Sequence, residues 1–292
     1  VHIQISHFYR PEPFYNLFVL ASFWQMLNVL ERRRVRDSAF LGLYVGLAFA
    51  TKASALPILL PVAAAYVYLL LRLPNVGAQG LAPLHNTPSP VKGEGSGNER
   101  SQSMEGMALR LLLAGFVAAA TYLFTTPYAL LSFPEFLDWN LRELEIIRRA
   151  GIVPYTLQYV GAPKLTYELQ QTIVWGLGIP LGLLAWGGFL ATLLRNLRRP
   201  RMAQVVLLLW AIPLLFTVTM VQVKFLRYTF PLMPVFIIMG AGVLVQLLGW
   251  ASRQHRLAGK GVAVFIGLIG AATAFYGMAF AAIYSRPHTA VP

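Results

Sequence analysis

The stretch FPLMPVFIIMGAGVLVQLLGW, residues 230–250, runs for 21 residues without one charged side chain. The hydrocarbon core of a bilayer is about 30 Å thick, and about 20 apolar residues in a helix cross it. The stretch therefore predicts a transmembrane helix. Seven further apolar runs predict spans of the same kind. They cover residues 14–30, 39–51, 55–71, 109–125, 173–194, 203–221 and 262–284.

The composition of the whole chain agrees with these spans. Of the 292 residues, 57% are hydrophobic and 12% are charged, and the mean hydropathy is +0.59. Soluble domains carry about 25% charged residues. The net charge of +13 comes from short basic clusters between apolar runs, so it predicts membrane topology and no nucleic-acid partner. We predict an all-α polytopic bundle of about eight transmembrane helices, forming one transmembrane domain over residues 1–292.

The chain contains no cysteine, which excludes disulfide bonds and thiolate metal sites. The runs 39–51 and 55–71 are short and are separated only by a segment that contains Lys52. They form either a tight helical hairpin or one long helix bent near Pro57. The hairpin is favoured because it places the basic clusters of the chain on one side of the membrane.

Those clusters are ERRRVR at 31–36, RNLRRPR at 195–201 and SRQHR at 252–256. Cytoplasmic loops carry an excess of Lys and Arg, so this side is predicted to be cytoplasmic. We expect a multi-pass protein of a bacterial or archaeal cell membrane.

Two long connections differ in character. Residues 73–108 are rich in Pro, Gly, Ser and Asn and predict a disordered cytoplasmic loop, more simply an inserted linker than a regulatory tail. Residues 126–172 form a predicted extracytoplasmic loop. Within it, FPEFLDWNLRELEIIRRAG, residues 133–151, has apolar positions at roughly helical spacing and Gly151 as a stop signal. This pattern predicts an amphipathic helix on the outer membrane surface.

Polar residues at membrane level gather on the predicted outer face. Glu12 stands between two prolines at the start of the first span, with His7 nearby. The carboxylate is either favoured there by the helix dipole or helps to bind and activate an acceptor hydroxyl. Lys52 either extends its ammonium to the headgroups or binds a lipid phosphate.

The segment QVKFLRYTFPLMP, residues 222–234, carries the third set of polar residues. Lys224 and Arg227 are three residues apart and would share one face of a helix. Together with Tyr228 they are either an interfacial anchor or a phosphate clamp, because an arginine offers two parallel donors to phosphate oxygens.

Four stretches occur in a characteristic order: SHFYRPEPF at 6–14, GLYVGLAFATKASALPILLP at 42–61, TTPYALLSFPEFL at 125–137 and KFLRYTFPLMPVF at 224–236. Together they resemble the membrane glycosyltransferases with the GT-C fold. The resemblance is to the superfamily of dolichyl-phosphate-mannose protein mannosyltransferases and lipid A aminoarabinose transferases, glycosyltransferase family 39 and its relatives.

The resemblance implies a donor sugar on a polyprenyl phosphate, an acceptor protein, lipid or glycan, and transfer on the extracytoplasmic face. It places Lys52, Lys224, Arg227 and Tyr228 at the donor phosphate. His7 and Glu12 would be catalytic, with Glu12 standing where relatives usually have Asp.

In such enzymes the principal catalytic acid follows the first helix. We therefore expect this chain to be the later part of a longer protein, with that acid upstream and this part alone inactive. No cofactor is required if cations neutralise the leaving phosphate, and a divalent metal is left open.

Two other classes of function compete with a transferase. A transporter or flippase of lipid-linked sugars would place polar residues near the bilayer midplane and break helices in two corresponding repeats. A non-catalytic membrane scaffold would need neither feature. The conspicuous charges of this chain stand at one interface, which favours the transferase.

Single cysteines introduced at positions 90 and 145 of this cysteine-free chain test the orientation. In intact cells an impermeant thiol reagent should label position 145 alone, because position 90 is predicted to be cytoplasmic. Permeabilised cells provide the control, in which both positions react. Labelling of position 90 in intact cells would contradict the predicted topology.

Overall fold

A computed structural model describes residues 11–72 and 95–285 of the chain. Within these ranges the protein is helical and has no strand, so the predicted all-α class is confirmed. The described ranges contain nine longer helices, and short helical turns lie in some of the connections between them. The longer helices are α1 Glu12–Arg32, α2 Val35–Thr51, α3 Leu59–Arg72, α4 Gly95–Thr125, α5 Phe133–Arg148, α6 Ile179–Arg198, α7 Met202–Met220, α8 Leu232–Gln254 and α9 Arg256–Ser285.

Five helical segments in the described part of the chain are long and apolar enough to cross a membrane. They are Ala53–Leu71, Met104–Thr125, Met202–Met220, Leu232–Gln254 and Arg256–Ala282. The predicted spans 14–30 and 39–51 fall on α1 and α2, while the predicted span 173–194 begins six residues before α6. The 17 residues of α2 make it shorter than a full span.

The described chain separates into two compact units, and the single transmembrane domain over residues 1–292 stays a prediction. The first unit comprises residues 17–131, and the second comprises the described residues before and after that range. The start of α1 therefore belongs to the second unit.

A helical hairpin lies within the first unit. The helix α2 ends at Thr51, and Lys52 has extended backbone angles of φ −161° and ψ 126°. A 3-10 turn, Ala53–Ile58, then leads into α3. The hydroxyl of Tyr66 on α3 donates to Ser38 Oγ near the start of α2 at 2.7 Å, so α3 runs back along α2. The predicted hairpin is confirmed, and one long bent helix is excluded.

Small residues bring α2 and α4 together. A Cβ atom added at Gly42 would lie 2.3 Å from the carbonyl oxygen of Ala114, and one at Gly46 would lie 2.5 Å from that of Ala118. The glycines are four residues apart on one face of α2, and the alanines have the same spacing on α4. Close backbone approach of this kind is a common way for helices to associate in a bilayer.

In the second unit, glycines allow a similar close approach of the backbones of α6 and α8. A Cβ atom at Gly188 would lie 2.3 Å from Gly240 Cα, so the two backbones touch at this point. One residue along, the rings of Phe189 and Phe236 stack with centroids 4.6 Å apart, and Trp186 meets Phe236 edge-on at 5.0 Å. The glycine contact thus lets aromatic side chains interlock beside it.

Both long connections differ in part from the predictions. Helix α4 begins at Gly95, so residues 95–108 of the predicted disordered loop are helical, and residues 73–94 lie outside the described ranges. The residues Glu99, Arg100, Gln102 and Met104 favour helix, which explains this extension. The predicted amphipathic helix is present as α5 and buries none of its residues, while Gly151 follows its end with φ +96°.

Replacing Gly188 by leucine should destabilise the protein by about 2 kcal/mol or more, because the side chain cannot fit against the backbone of Gly240. Gly187→Leu is the matched control, since a Cβ atom there meets no other atom within 4 Å. Thermal unfolding in detergent would compare the two variants. Equal losses of stability in both would refute the close contact between α6 and α8.

Candidate functional site

A buried ion pair lies at the centre of the second unit's loops. Glu168 belongs to the short helix Thr166–Gln170, and Lys224 lies in the connector between α7 and α8. Lys224 Nζ is 2.5 Å from Glu168 Oε1, and each side chain is 2% exposed. The ammonium also donates to the carbonyl oxygen of Thr219 at 3.1 Å, at the end of α7. Burial this deep requires that each charge has a partner.

The backbone around Glu168 is tightly constrained. Just before its helix, the N–H of Thr166 donates to the carbonyl of Lys164 at 2.7 Å, which forces Leu165 to a φ of +62°. This γ-turn is strained for a residue with a side chain, and such strain is concentrated at functional sites. It turns the chain abruptly so that the short helix can begin.

A π-helical turn, Gln171–Gly176, follows Glu168 and links it to α6. The hydroxyl of Thr172 donates to the carbonyl oxygen of Glu168 at 2.7 Å and accepts from Trp186 Nε1 at 2.7 Å. Since Trp186 packs against Phe236, the position of Glu168 depends on the aromatic contact between α6 and α8. Single π-helical turns of this type are frequent at functional sites.

The connector is also tied to the end of α5. The N–H of Val223 donates to the carbonyl of Ile147 at 3.1 Å, and the N–H of Ala150 donates to Gln222 Oε1 at 2.9 Å. These bonds hold the end of the amphipathic helix next to the connector. The exposed apolar side chains of α5, such as Phe133, Leu137 and Trp139, are then fixed relative to it.

Arg227 belongs to the short helix Leu226–Thr229, and its guanidinium lies among aromatic rings. Its Cζ is 4.4 Å from the ring centroid of Phe225 and 5.4 Å from that of Tyr228. Tyr155 stacks on Phe225 with centroids 6.2 Å apart, and Tyr159 meets Phe225 edge-on at 5.2 Å. Arg227 is half-buried, so the rings orient its planar group while part of it reaches the surface.

Two tyrosines of this cluster have raised pKa values. Burial raises the pKa of Tyr159 to about 12, with a further contribution from Tyr167 and opposition from the charge of Arg227. Burial also raises the pKa of Tyr228, against the effect of its hydrogen bond with Arg227. Both phenols therefore keep their protons near neutral pH and can donate hydrogen bonds.

The structure places the other predicted residues as follows. Glu12 is buried in the first turn of α1, one turn before Asn16, whose Nδ2 donates to the carbonyl of Phe230 at 3.4 Å. Glu12 thus shares the compact unit of Lys224, Arg227 and Tyr228. Lys52 is half-buried and belongs to the first unit. His7 lies outside the described residues.

The position of Lys224 differs from the sequence-based interpretation. Lys224 precedes the short helix that carries Arg227, so the two residues do not share a helical face. Its ammonium has Glu168 and Thr219 as partners, where the sequence predicted a ligand phosphate. Sequence reasoning missed Glu168. The available signal was a lone carboxylate in TYELQQTIVWG, at the edge of a predicted span.

No three His, Cys, Asp or Glu side chains come together as a metal site within the described ranges.

No protein-family profile and no curated protein matches the chain. Among solved structures, it is similar to the apo crystal structure of the Archaeoglobus fulgidus oligosaccharyltransferase, with a TM-score of 0.42 and 14% sequence identity. The match covers 91% of this chain and 37% of that one.

A double-mutant cycle tests the buried ion pair. Lys224→Met and Glu168→Gln should each cost about 3 kcal/mol of stability, because each leaves a buried charge without its partner. The loss of stability in the double variant should be smaller than the sum of the two single losses, by about 2 kcal/mol or more.

The exposed pair of Asp138 and Arg142, 2.9 Å apart on α5, is the matched control. Asp138→Asn and Arg142→Gln should couple by about 0.5 kcal/mol or less. Reversible unfolding in mixed micelles gives both coupling energies. Additive losses for Glu168 and Lys224 would contradict the ion pair.

Proposed function

We propose that the chain is part of a membrane glycosyltransferase that moves a sugar from a polyprenyl-phosphate donor to an acceptor on the extracytoplasmic face. The observation that carries this proposal is the half-buried guanidinium of Arg227, held by Phe225 and Tyr228 in the connector between α7 and α8. Both helices have the length and apolarity of membrane spans, so the connector would stand at a membrane boundary. The phosphate of a polyprenyl phosphate lies at that depth as well.

The charges of the connector favour Arg227 as the main phosphate contact. The connector, residues 221–231, has two cations, and the charge of Lys224 is compensated by Glu168. Arg227 has aromatic neighbours instead, and its fork of donors matches the oxygens of a phosphate. The phenol of Tyr228 stays protonated and supplies a further donor. In this proposal Lys224 positions the connector. The assignment of Lys52 to a donor phosphate stays a prediction of the resemblance.

The reaction makes defined demands on these groups. An acceptor oxygen attacks the anomeric carbon, the bond from that carbon to the phosphate oxygen breaks, and the phosphate leaves with the electron pair. Negative charge grows on the phosphate in the transition state, where a preoriented guanidinium stabilises it. The proton of the acceptor passes to a base. We propose that Glu12 helps to bind and activate the acceptor, and that His7, five positions earlier in the sequence, assists it.

The test is turnover of a radiolabelled polyprenyl-phosphate sugar by the purified complete protein in liposomes. Arg227→Gln should lower kcat/KM by about 10- to 100-fold, because a charged hydrogen bond is worth about 1.5–3 kcal/mol. Arg227→Lys should be intermediate, since it keeps the charge but loses the fork.

Arg142→Gln is the control, because it removes one exposed positive charge from the same unit, and its rate should stay within about twofold of the wild type. Normal turnover by Arg227→Gln would rule out the phosphate contact. Transfer of the intact lipid across the bilayer without release of the sugar would instead establish a flippase.

A further inference from the structure

A groove lies at the opposite ends of the helices that hold the Arg227 connector. It is formed by the C-terminal part of α6, the start of α7 and the C-terminal part of α8, and its volume is about 360 Å³. This size is within the range of small-molecule sites in proteins. The polar residues that line it are Thr192, Arg195, Gln204 and Gln246.

The polar wall of the groove offers donors. An arginine carries five N–H groups and no acceptor, and the indole of Trp250, which also lines the groove, is a donor only. The side-chain oxygen of Gln204 already accepts from Asn196 Nδ2 at 2.8 Å, so Gln204 presents its NH₂ group. No acidic residue is among the lining residues that the structure describes. Arg195 carries the one charge among the lining residues that the structure describes, so the groove favours an anion.

Asn196 makes this arrangement rigid. Its Nδ2 donates to the carbonyl of Thr192 and to Gln204, and its Oδ1 accepts from the N–H of Arg201, all at 2.8 Å. These bonds join the end of α6 to the start of α7. Gln204 is therefore held in one orientation before any ligand arrives.

The other wall of the groove is apolar and continues onto the outside of the bundle. Leu247 and Trp250 line the groove and are exposed along α8, a helix with the length and apolarity of a membrane span. Arg195, which lines the groove, is the first residue of the basic cluster 195–201, on the side predicted to be cytoplasmic. Basic pockets between transmembrane helices on that side bind the headgroups of anionic lipids.

We propose that this groove binds the headgroup of an anionic phospholipid of the cytoplasmic leaflet, with Arg195 on its phosphate and the acyl chains along Leu247 and Trp250. Charge complementarity selects the anionic headgroup, and the apolar wall selects a lipid over a soluble anion. The site is separate from the proposed donor site and does not depend on the transferase activity.

Native mass spectrometry of the detergent-purified protein, titrated with phosphatidylglycerol or phosphatidylcholine, tests the proposal. The wild type should bind phosphatidylglycerol at least about tenfold more tightly than phosphatidylcholine. Arg195→Gln should lose about tenfold in affinity for phosphatidylglycerol, the effect of one charge-assisted contact of about 1.4 kcal/mol. Gln246→Leu should lose a smaller factor.

Arg198→Gln is the matched control, because it makes the same change of charge one turn along α6 at a residue that does not line the groove. Its affinity should stay within about twofold of the wild type. Equal losses in Arg195→Gln and Arg198→Gln would show general attraction to the basic cluster and overturn the proposal. Equal binding of the two lipids, or full competition by millimolar inorganic phosphate, would overturn it as well.

Discussion

The buried ion pair between Glu168 and Lys224 is the constraint on which the second unit's loops depend. It joins residues that are 56 positions apart, one in the segment after α5 and one in the connector after α7. Removing two charges from water is costly, and that cost is met only when their geometry and their additional hydrogen bonds are good. The carbonyl of Thr219 supplies such a bond to the ammonium, while the hydroxyl of Thr172 holds the backbone of Glu168.

This constraint separates the roles of two neighbouring cations. Lys224 is neutralised inside the unit and holds the connector in place, while Arg227 stands three residues further on, where aromatic rings orient it. An arginine whose plane is fixed before a phosphate arrives loses less conformational entropy on binding. The buried ion pair of Lys224 thus fixes the backbone of the connector, and the fixed backbone positions the guanidinium of Arg227.

The helices could be predicted from the sequence because the length and apolarity of a run are local properties. The break at Lys52 and the amphipathic spacing of α5 are local in the same sense, and both predictions agree with the structure. The contact of Gly46 with Ala118 and the pairing of Glu168 with Lys224 join distant positions, and no local pattern specifies such partners. The sequence does not predict the start of α4, because residues 95–103 mix helix-forming residues with Gly, Ser and Asn.

The central claim is that the ion pair makes one cooperative unit of the two loops that surround Arg227. Hydrogen–deuterium exchange of the wild type and of Lys224→Met, under conditions in which both are folded, tests it directly. We expect faster exchange in residues 156–170 and in residues 222–229 together, with unchanged exchange in α4 of the other unit. Faster exchange confined to residues 222–229, or no change in either loop, would contradict it.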